Sequence, residues 1–307
     1  MKRRWLSLTL AGLVLAAPLA AQGPTVARLA APPVAKKALF WKASTADNVV
    51  YLLGSIHLGS KEMYPLAKEV EDAFERSTAL IVEVDINRVD QQGMQAMILS
   101  KGLYSGDDSL WDHVSPETRQ GLEKFCEKYS FPAIAMAKFR PWMAALMVST
   151  LPLTKSGMDA GLGIDKYFLD KAGQSKKKVV EAESAEWQIK LLSGFPPEVM
   201  EKYLASALEE GGLDKVKKIQ DLWISGDAAG LDAMIHEKSS TPESITRGML
   251  EDRNPHMADV AEQHLKGKET AFMVVGAAHM VGAEGVVKLL EKRGYKVERV
   301  ALATPAR

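Results

Sequence analysis

The sequence predicts an α/β fold with a central mixed sheet flanked by helices and two related halves around a helical insertion. Continuous apolar runs of strand length occur near both ends of the folded region, at residues 49–53 and 270–275. Each run is followed by a Gly-x-x-His turn and then by a helical pattern. Between the halves, helical patterns predominate.

The sequence of the first half predicts four elements in the order strand, turn, helix and strand. Residues 49–53 form a buried strand that stops at residues 54–57, Gly-Ser-Ile-His. Residues 65–76 follow as a helix, because Pro65 suits a first helical turn and apolar side chains recur on one face. Residues 79–85 then form a second buried strand.

The middle of the chain predicts helices and one short strand at residues 178–182. A break is expected near Pro255, which suits the first turn of a new helix capped by Asn254. The predicted helices cover residues 116–128, 134–149, 163–172, 185–192, 198–210, 214–224, 231–236 and 244–266.

The second half predicts the same order of elements as the first. Residues 270–275 form a strand, residues 276–279 read Gly-Ala-Ala-His, and a helix runs to Lys292. Gly294 ends that helix, and residues 295–301 form the last strand. The predicted halves are therefore related by a pseudo-twofold repeat.

The N-terminus predicts export. Residues 1–23 combine a positive start, a short apolar run and small residues at its end, as in a secretory signal peptide. A single-span anchor is the alternative, but the run is shorter than the ~20 residues that a span needs. Residues 24–37 predict a disordered leader and residues 38–307 one domain. We expect a periplasmic or secreted protein without a stable membrane span after cleavage.

Charge and cysteine content exclude some classes of function. Loss of residues 1–23 removes three basic residues and leaves 36 basic against 39 acidic side chains. This balance gives no basic surface for nucleic acid. Cys126 is the only cysteine and lies in a helical pattern, so we interpret it as a buried structural thiol.

The two Gly-x-x-His turns are the first indication of a site. Glycine at positions 54 and 276 allows sharp turns after buried strands, where open α/β folds bind ligands. After a single turn of this kind, a buried, hydrogen-bonded structural histidine is commoner than a histidine that faces a site. Two matching turns favour His57 and His279 facing one crevice.

Three carboxylates add to this indication. Glu83 interrupts an apolar run, and an unpaired buried carboxylate is costly, so it needs a cation, a metal or several donors. The alternative interpretation is that Glu83 is a strand-end residue that already lies at the surface. Asp85 follows in the same side-chain phase and is a candidate to support Glu83. Glu183 is either a site carboxylate or the cap of the next helix.

These features together resemble the TraB/GumN family. The resemblance covers residues 40–300, and its specific part is the pair of Gly-x-x-His turns with the glutamate strand. Residues 138–142 and the pair Glu183 and Gln188 are similar to its less specific blocks. The matching motifs are residues 54–57 (GSIH), 82–85 (VEVD), 163–165 (GID), 251–254 (EDRN) and 276–279 (GAAH).

The resemblance implies a site made of His57, Glu83, Arg253 and His279, with Asp165 as another candidate to support these residues. The family resembles the TIKI metallopeptidases and, more distantly, erythromycin esterases and ChaN-type haem-binding lipoproteins. Two imidazoles and one carboxylate suit Mn, Co, Fe or Zn, so we expect His57, Glu83 and His279 to hold a divalent metal.

The expected function is a metal-dependent, peptidase-like hydrolase acting on a peptide or small molecule, with Arg253 holding a substrate carboxylate or an oxyanion. Two alternatives stay open: a metal-independent, esterase-like hydrolase with a histidine base, and a non-enzymatic haem or ligand carrier or pathway modulator. The His-Glu-x-x-His, Gly-x-Ser-x-Gly and phosphate-loop motifs are absent from the sequence.

Overall fold

The computed structural model describes residues 38–208, 212–237 and 241–302, together with one pair of two-residue strands, Leu10–Ala11 and Val14–Leu15. The predicted signal peptide and leader otherwise lie outside the described residues and stay predictions. Within the described ranges, no helix is long and apolar enough to cross a membrane.

A six-stranded mixed sheet forms the centre, as predicted. Its strands are β1 (Phe40–Ser44), β2 (Val49–Ser55), β3 (Ala79–Val82), β4 (Lys178–Glu181), β5 (Ala271–Gly276) and β6 (Lys296–Arg299). Their order across the sheet is β4-β3-β5-β2-β1-β6. The neighbours from β4 to β2 run parallel, whereas β1 is antiparallel to both β2 and β6.

Helices flank this sheet and build the insertion. They are α1 (Lys68–Arg76), α2 (Gln91–Gly102), α3 (Pro116–Tyr129), α4 (Ala133–Met136), α5 (Pro141–Lys155), α6 (Ile164–Gln174), α7 (Ala185–Gly194), α8 (Pro197–Ala207), α9 (Gly212–Ser225), α10 (Ala228–Ile235), α11 (Glu243–Thr246), α12 (Asn254–Leu265), α13 (Ala277–Met280) and α14 (Val286–Lys292). A π-helical segment, Arg247–Glu251, joins α11 to the turn before α12.

The pairing of β2 with β5 brings the two Gly-x-x-His segments together. These strands are parallel, and Ser55 lies opposite Gly276 in their register. β3 pairs with the other side of β5, with Val82 opposite Val274. Because all three strands are parallel, their carboxyl ends meet at one edge of the sheet.

The two halves repeat the predicted order of elements but not their positions in the sheet. β3, the last strand of the first half, lies next to β5. Its counterpart β6 does not lie next to β2, because β1 occupies that place and β6 pairs with β1. β1 was not predicted. β3 is also shorter than predicted, since it ends at Val82 and not at residue 85.

Aromatic packing ties the sheet to its helices. The ring of Phe272 on β5 lies 5.6 Å from that of Phe74 on α1 and 4.8 Å from that of Phe168 on α6. All three side chains are fully buried. Burial of such side chains contributes about 1.5–3 kcal/mol each, so this cluster fixes α6 against the sheet.

A close approach at the start of α6 places that helix beside the first histidine. Ile164 N donates to Ile56 O at 3.1 Å. A Cβ at Gly163, which precedes α6, would lie 2.4 Å from His57 O, whereas one at Gly173 inside α6 would have no atom within 4 Å. Only glycine at position 163 therefore permits this contact.

We expect Gly163→Ala to lower the free energy of unfolding by about 1–3 kcal/mol, because the backbone must move apart. Gly173→Ala is the matched control and should raise it by up to about 1 kcal/mol, since alanine favours the helix and meets no atoms. Urea denaturation measures both. Equal stabilities of the two variants would contradict the close approach.

Candidate functional site

Four residues predicted from distant parts of the sequence lie together at the carboxyl edge of the sheet. His57 lies two residues beyond β2, Glu83 directly follows β3, His279 lies on α13 just beyond β5, and Arg253 immediately precedes α12. Nε2 of His57 and Nε2 of His279 lie 3.8 and 3.9 Å from the same atom, Oε1 of Glu83. Arg253 Nη2 lies 2.7 Å from Glu83 Oε2. The predicted convergence therefore exists in the structure.

Glu83 is a buried carboxylate with several donors. Gly276 N donates to its Oε1 at 2.7 Å, while Arg253 Nη2 and Gln188 Nε2 donate to Oε2 at 2.7 and 3.3 Å. Burial raises the pKa of this carboxyl, but the two histidines, Arg253 and the Gly276 amide outweigh burial and hold the pKa well below its usual range. Glu83 is therefore ionised at neutral pH.

Arg253 joins two glutamates and is only 6% exposed. Its Nε and Nη2 donate to Glu183 at 2.8 and 2.6 Å, Nη2 also donates to Glu83, and Nη1 donates to Met249 O at 2.8 Å. Met249 belongs to the π-helical segment. These contacts engage every nitrogen of the guanidinium. Arg253 therefore binds two carboxylates of the protein itself, whereas we had expected it to bind a substrate carboxylate or an oxyanion.

His57 is the more open of the two histidines, with a side chain 30% exposed. Its Nδ1 lies 3.0 Å from Asp165 Oδ1, at the start of α6. Burial lowers the pKa of His57, but the charges of Asp165 and Glu83 outweigh burial and raise the pKa to about 9. Without a bound cation nearby, His57 therefore carries a proton at neutral pH.

His279 is buried, which differs from the expected position of its side chain in an open crevice. It is 3% exposed, and its Nδ1 lies 2.7 Å from Asn254 Oδ1. Asn254 Nδ2 donates to Glu284 O at 2.8 Å, so the amide oxygen faces His279 and Nδ1 carries the proton. Burial lowers the pKa of His279 to about 4. The neutral ring therefore presents a lone pair on Nε2 toward Glu83.

Of the three carboxylates expected to support the site, Asp165 and Glu183 belong to the cluster. Asp165 contacts His57, and Glu183 is bound by Arg253 and by Gln188 Nε2 at 2.9 Å. Glu183 is not the cap of the following helix, because the Ser184 side chain takes that place.

Asp85 makes its contacts in the turn after β3, and its expected role beside Glu83 stays a prediction. Asp85 Oδ1 accepts from Asn87 N at 3.1 Å in a turn, and its backbone N donates to Glu181 at 2.7 Å. Strand alternation ends with β3 at Val82, so the side-chain phase that suggested the pairing does not extend to Asp85.

Gly54 and Gly276 allow close approach. A Cβ at Gly54 would lie 3.0 Å from Ala277 Cα, and one at Gly276 would lie 3.2 Å from Glu83 Oε1 and 3.4 Å from His279 Cδ2. The φ angle of Gly276 is −46°. Glycine is thus required here by crowding and not, as the sequence suggested, by a sharp turn.

The donor chemistry and the charge of the cluster fit a divalent cation. The cluster contains three carboxylates, on Glu83, Asp165 and Glu183, and one guanidinium, which contacts Glu83 and Glu183, so the cluster is short of positive charge when both histidines are neutral. In both rings an oxygen engages Nδ1, which leaves Nε2 to bind a metal.

The spacing of these donors is wider than in a formed metal site. Ligand atoms of a tetrahedral zinc site lie about 3.4 Å apart, so the distances of 3.8 and 3.9 Å must shorten by about half an ångström. Within the described ranges, no three His, Cys, Asp or Glu side chains already stand at metal-binding spacing. Side-chain rotations would therefore have to accompany binding.

The contact of Asn254 with His279 was not predicted, because we interpreted Asn254 from the sequence as a helix cap. Asn254 is the first residue of α12 and is 2% exposed. Its position next to Arg253 in the EDRN motif was the only available signal, because its partners lie 25 and 30 residues away in sequence.

Comparisons with known proteins match most of the chain. The model of the TraB/PrgY/gumN family matches residues 39–299. The uncharacterized protein YbaP of Escherichia coli (strain K12) is 24% identical over 243 residues, which cover 78% of this chain and 87% of YbaP. An uncharacterized protein of Treponema pallidum (strain Nichols) is 20% identical over 277 residues, covering 84% of this chain and 81% of the relative. No solved structure matches the chain significantly.

Proposed function

This chain belongs to the TraB/PrgY/gumN family, and we propose that it is a metal-dependent, peptidase-like hydrolase. One observation carries the proposal: two histidines with engaged Nδ1 atoms direct Nε2 at one oxygen of a buried, ionised glutamate. The ligands would be His57, Glu83 and His279. Manganese, cobalt, iron and zinc all accept two imidazoles and a carboxylate.

The surrounding residues would prepare this site. A bound metal would supply an activated water and would polarise a scissile carbonyl. Arg253 and the Gly276 amide hold Glu83 ionised and in place. Asp165 and Asn254 orient the two rings. Because His57 is the more exposed ligand, substrate would approach from its side.

A metal-independent hydrolase is the second candidate, and the contact of His57 with Asp165 favours it. A carboxylate on Nδ1 of a histidine is the arrangement of a general acid or base. With a pKa of about 9, His57 would donate a proton at neutral pH, and would not accept one from water. This candidate therefore explains protonation of a leaving group but leaves the nucleophile unassigned.

Metal content separates the two candidates. Protein purified without an affinity tag and without chelator should contain about one divalent metal ion per chain, measured by elemental mass spectrometry. Removal of the metal should abolish hydrolysis of a peptide library, and manganese or cobalt should restore it. Metal-free protein that hydrolyses the same peptides at the same rate would contradict the proposal and favour the histidine mechanism.

Asn254 provides a test of ring positioning. Asn254→Ala should weaken metal binding by about 10- to 100-fold, as loss of a residue that orients a metal-binding histidine does. Nitrogen NMR should show His279 losing its preference for a proton on Nδ1, which a purely structural defect elsewhere would not cause. Asn87→Ala is the control, because Asn87 bonds Asp170 at the surface. Unchanged affinity and tautomer in Asn254→Ala would contradict this role.

We propose that the protein is exported, from the pattern of residues 1–23. The mature chain should begin between residues 21 and 24. N-terminal sequencing of protein from the extracytoplasmic fraction measures this. A chain that retains Met1 in the membrane fraction would instead support an uncleaved anchor.

A further inference from the structure

Ser55 is a buried polar residue that the proposed site does not yet use. It is the last residue of β2, two residues before His57, and it is 2% exposed. In the ranges that the structure describes, its Oγ has no hydrogen-bond partner. Buried hydroxyls nearly always have a partner, and one without a partner costs stability, so this hydroxyl requires an explanation.

A second buried atom without a partner belongs to Asp165, which contacts the same histidine. Asp165 Oδ1 lies 3.0 Å from His57 Nδ1 as an ion pair, but within the described ranges it accepts no aligned hydrogen bond. Burial raises the pKa of Asp165, but the charge of His57 and, after it, the Ser55 hydroxyl outweigh burial and lower the pKa. The hydroxyl is therefore close to this carboxylate without having the alignment of a hydrogen bond.

The backbone on both sides of Ser55 is held in place. Ile164 N donates to Ile56 O at 3.1 Å, which joins the residue after Ser55 to the residue before Asp165. The buried indole of Trp223 donates at 2.6 Å to the backbone oxygen of the residue before Ser55. These contacts fix the two backbones against each other, so rotation of side chains is sufficient to align the hydroxyl with the carboxylate.

We propose that Ser55 is a positioning residue for the metal ligand His57: when His57 binds the metal, the Ser55 hydroxyl donates to Asp165 Oδ1 and holds this carboxylate against Nδ1 of the ring. The proposal rests on the metal site proposed above. The groups that hold a metal-binding histidine are commonly hydrogen-bonded in turn, and their loss weakens metal binding.

The separation of the ligands explains why this hydrogen bond is absent from the metal-free protein. Nε2 of His57 lies 3.8 Å from Glu83 Oε1, so the ring must rotate when a metal joins them. Asp165 follows the ring, and its Oδ1 then comes into line with the hydroxyl. Serine at position 55 therefore costs stability without the metal and supports the ligand with it.

Ser55→Ala should have opposite effects on metal binding and on stability. The variant should bind manganese about 10-fold or more weakly, which is the effect of losing a partner of a metal-binding histidine. The metal-free variant should melt at the temperature of the wild type or above it, because the substitution removes a buried hydroxyl without a partner. Calorimetric titration with manganese and thermal melts of the full-length, metal-free chain measure the two effects.

Ser77→Ala is the matched control. Ser77 is also 2% exposed, but its Oγ donates to Ala73 O at 2.8 Å, far from the site in sequence. This variant should bind manganese as the wild type does and should melt at a lower temperature. Wild-type manganese affinity in Ser55→Ala, or a melting temperature lowered as far as in Ser77→Ala, would overturn the proposal.

The double variant of Ser55 and Asp165 shows whether the serine acts through the carboxylate. Asp165→Ala should itself weaken manganese binding by about 10- to 100-fold. Adding Ser55→Ala should cause no further loss, because the acceptor is already absent. Losses that add would overturn the proposal.

Failure of the metal-dependent hydrolase proposal would appear differently in the same experiment. A wild-type protein that binds no manganese would overturn both proposals. A wild-type protein and a Ser55→Ala protein that bind manganese equally would overturn only the role of Ser55. Manganese binding that Ser55→Ala weakens, in a protein that hydrolyses no peptide, would support this role and contradict the peptidase.

Discussion

Arg253→Met should lower the free energy of unfolding by about 3–5 kcal/mol, because it leaves buried carboxylates without their cation. The side chains of Glu83 and Glu183 are 7% and 3% exposed, and Arg253 donates to both. Loss of the guanidinium also removes a donor from Met249 O. Methionine retains the packing of the aliphatic stem of arginine but not the buried volume of its guanidinium, which adds to the loss.

Arg247→Met is the matched control for this substitution. Arg247 lies in the π-helical segment, and its partner Asp252 is 57% exposed, while Arg247 itself is 67% exposed. An exposed pair of this kind contributes about 0–1 kcal/mol. Chemical denaturation of both variants measures the difference. Adding Glu183→Gln to Arg253→Met should recover part of the loss, because one buried charge is then removed.

Similar stabilities of Arg253→Met and Arg247→Met would contradict the buried network. Full recovery of stability on adding Glu183→Gln alone would indicate that Glu83 does not need the guanidinium. The Gly276 amide and Gln188 would then be sufficient donors for Glu83.

His57→Ala should weaken metal binding more than about 100-fold, since losing a direct ligand costs more than losing a residue that orients one. Above pH 9, where the ring is neutral, the same substitution should change the free energy of unfolding by less than about 1 kcal/mol, because the side chain is 30% exposed. At neutral pH the loss should be larger, because the substitution also removes the positive charge that Asp165 and Glu83 stabilise. Titration with manganese and thermal melts with and without it measure both quantities.

His113→Ala serves as the control, because His113 is an exposed histidine paired with Asp108. It should leave metal binding unchanged. A His57→Ala protein that binds metal as tightly as wild type would remove His57 from the proposed ligand set. A fully unfolded His57→Ala protein would support the alternative of a structural histidine.

The two histidines should differ in this test, although their sequence contexts are alike. His279 is 3% exposed and hydrogen-bonded to Asn254, so His279→Ala should also destabilise the fold. The sequence alone does not separate them, because both follow buried strands. Their surroundings differ in burial and in the partner of Nδ1, which is Asp165 for His57 and Asn254 for His279.

What could be predicted of this site depended on local signals. β2 and β5 are continuous apolar runs, and Glu83 is conspicuous because a charge follows such a run. β1 was missed, since its five residues mix aromatic and polar side chains and have no flanking signal. The predicted length of β3 failed because the apolar pattern continues through Val84 after the strand has ended.

The contacts of the site could not be derived from the residues alone. The contact of His57 with Asp165 requires α6 to approach the first Gly-x-x-His segment, which depends on Gly163. The bridge from Arg253 to Glu83 and Glu183 spans 170 and 70 residues of sequence. Such distances are set by tertiary packing, so the motif resemblance indicated which residues matter but not what Arg253 binds.

The place of β5 between β2 and β3 also determines when this protein can fold. Before β5 is in place, β2 and β3 are separated by the gap that residues 271–276 fill. A chain in this state exposes apolar strand edges on both sides of the gap. Contacts between residues so far apart in sequence form slowly, so we expect the Glu83 cluster to assemble late in folding. A truncated chain that ends before residue 271 has no site at all.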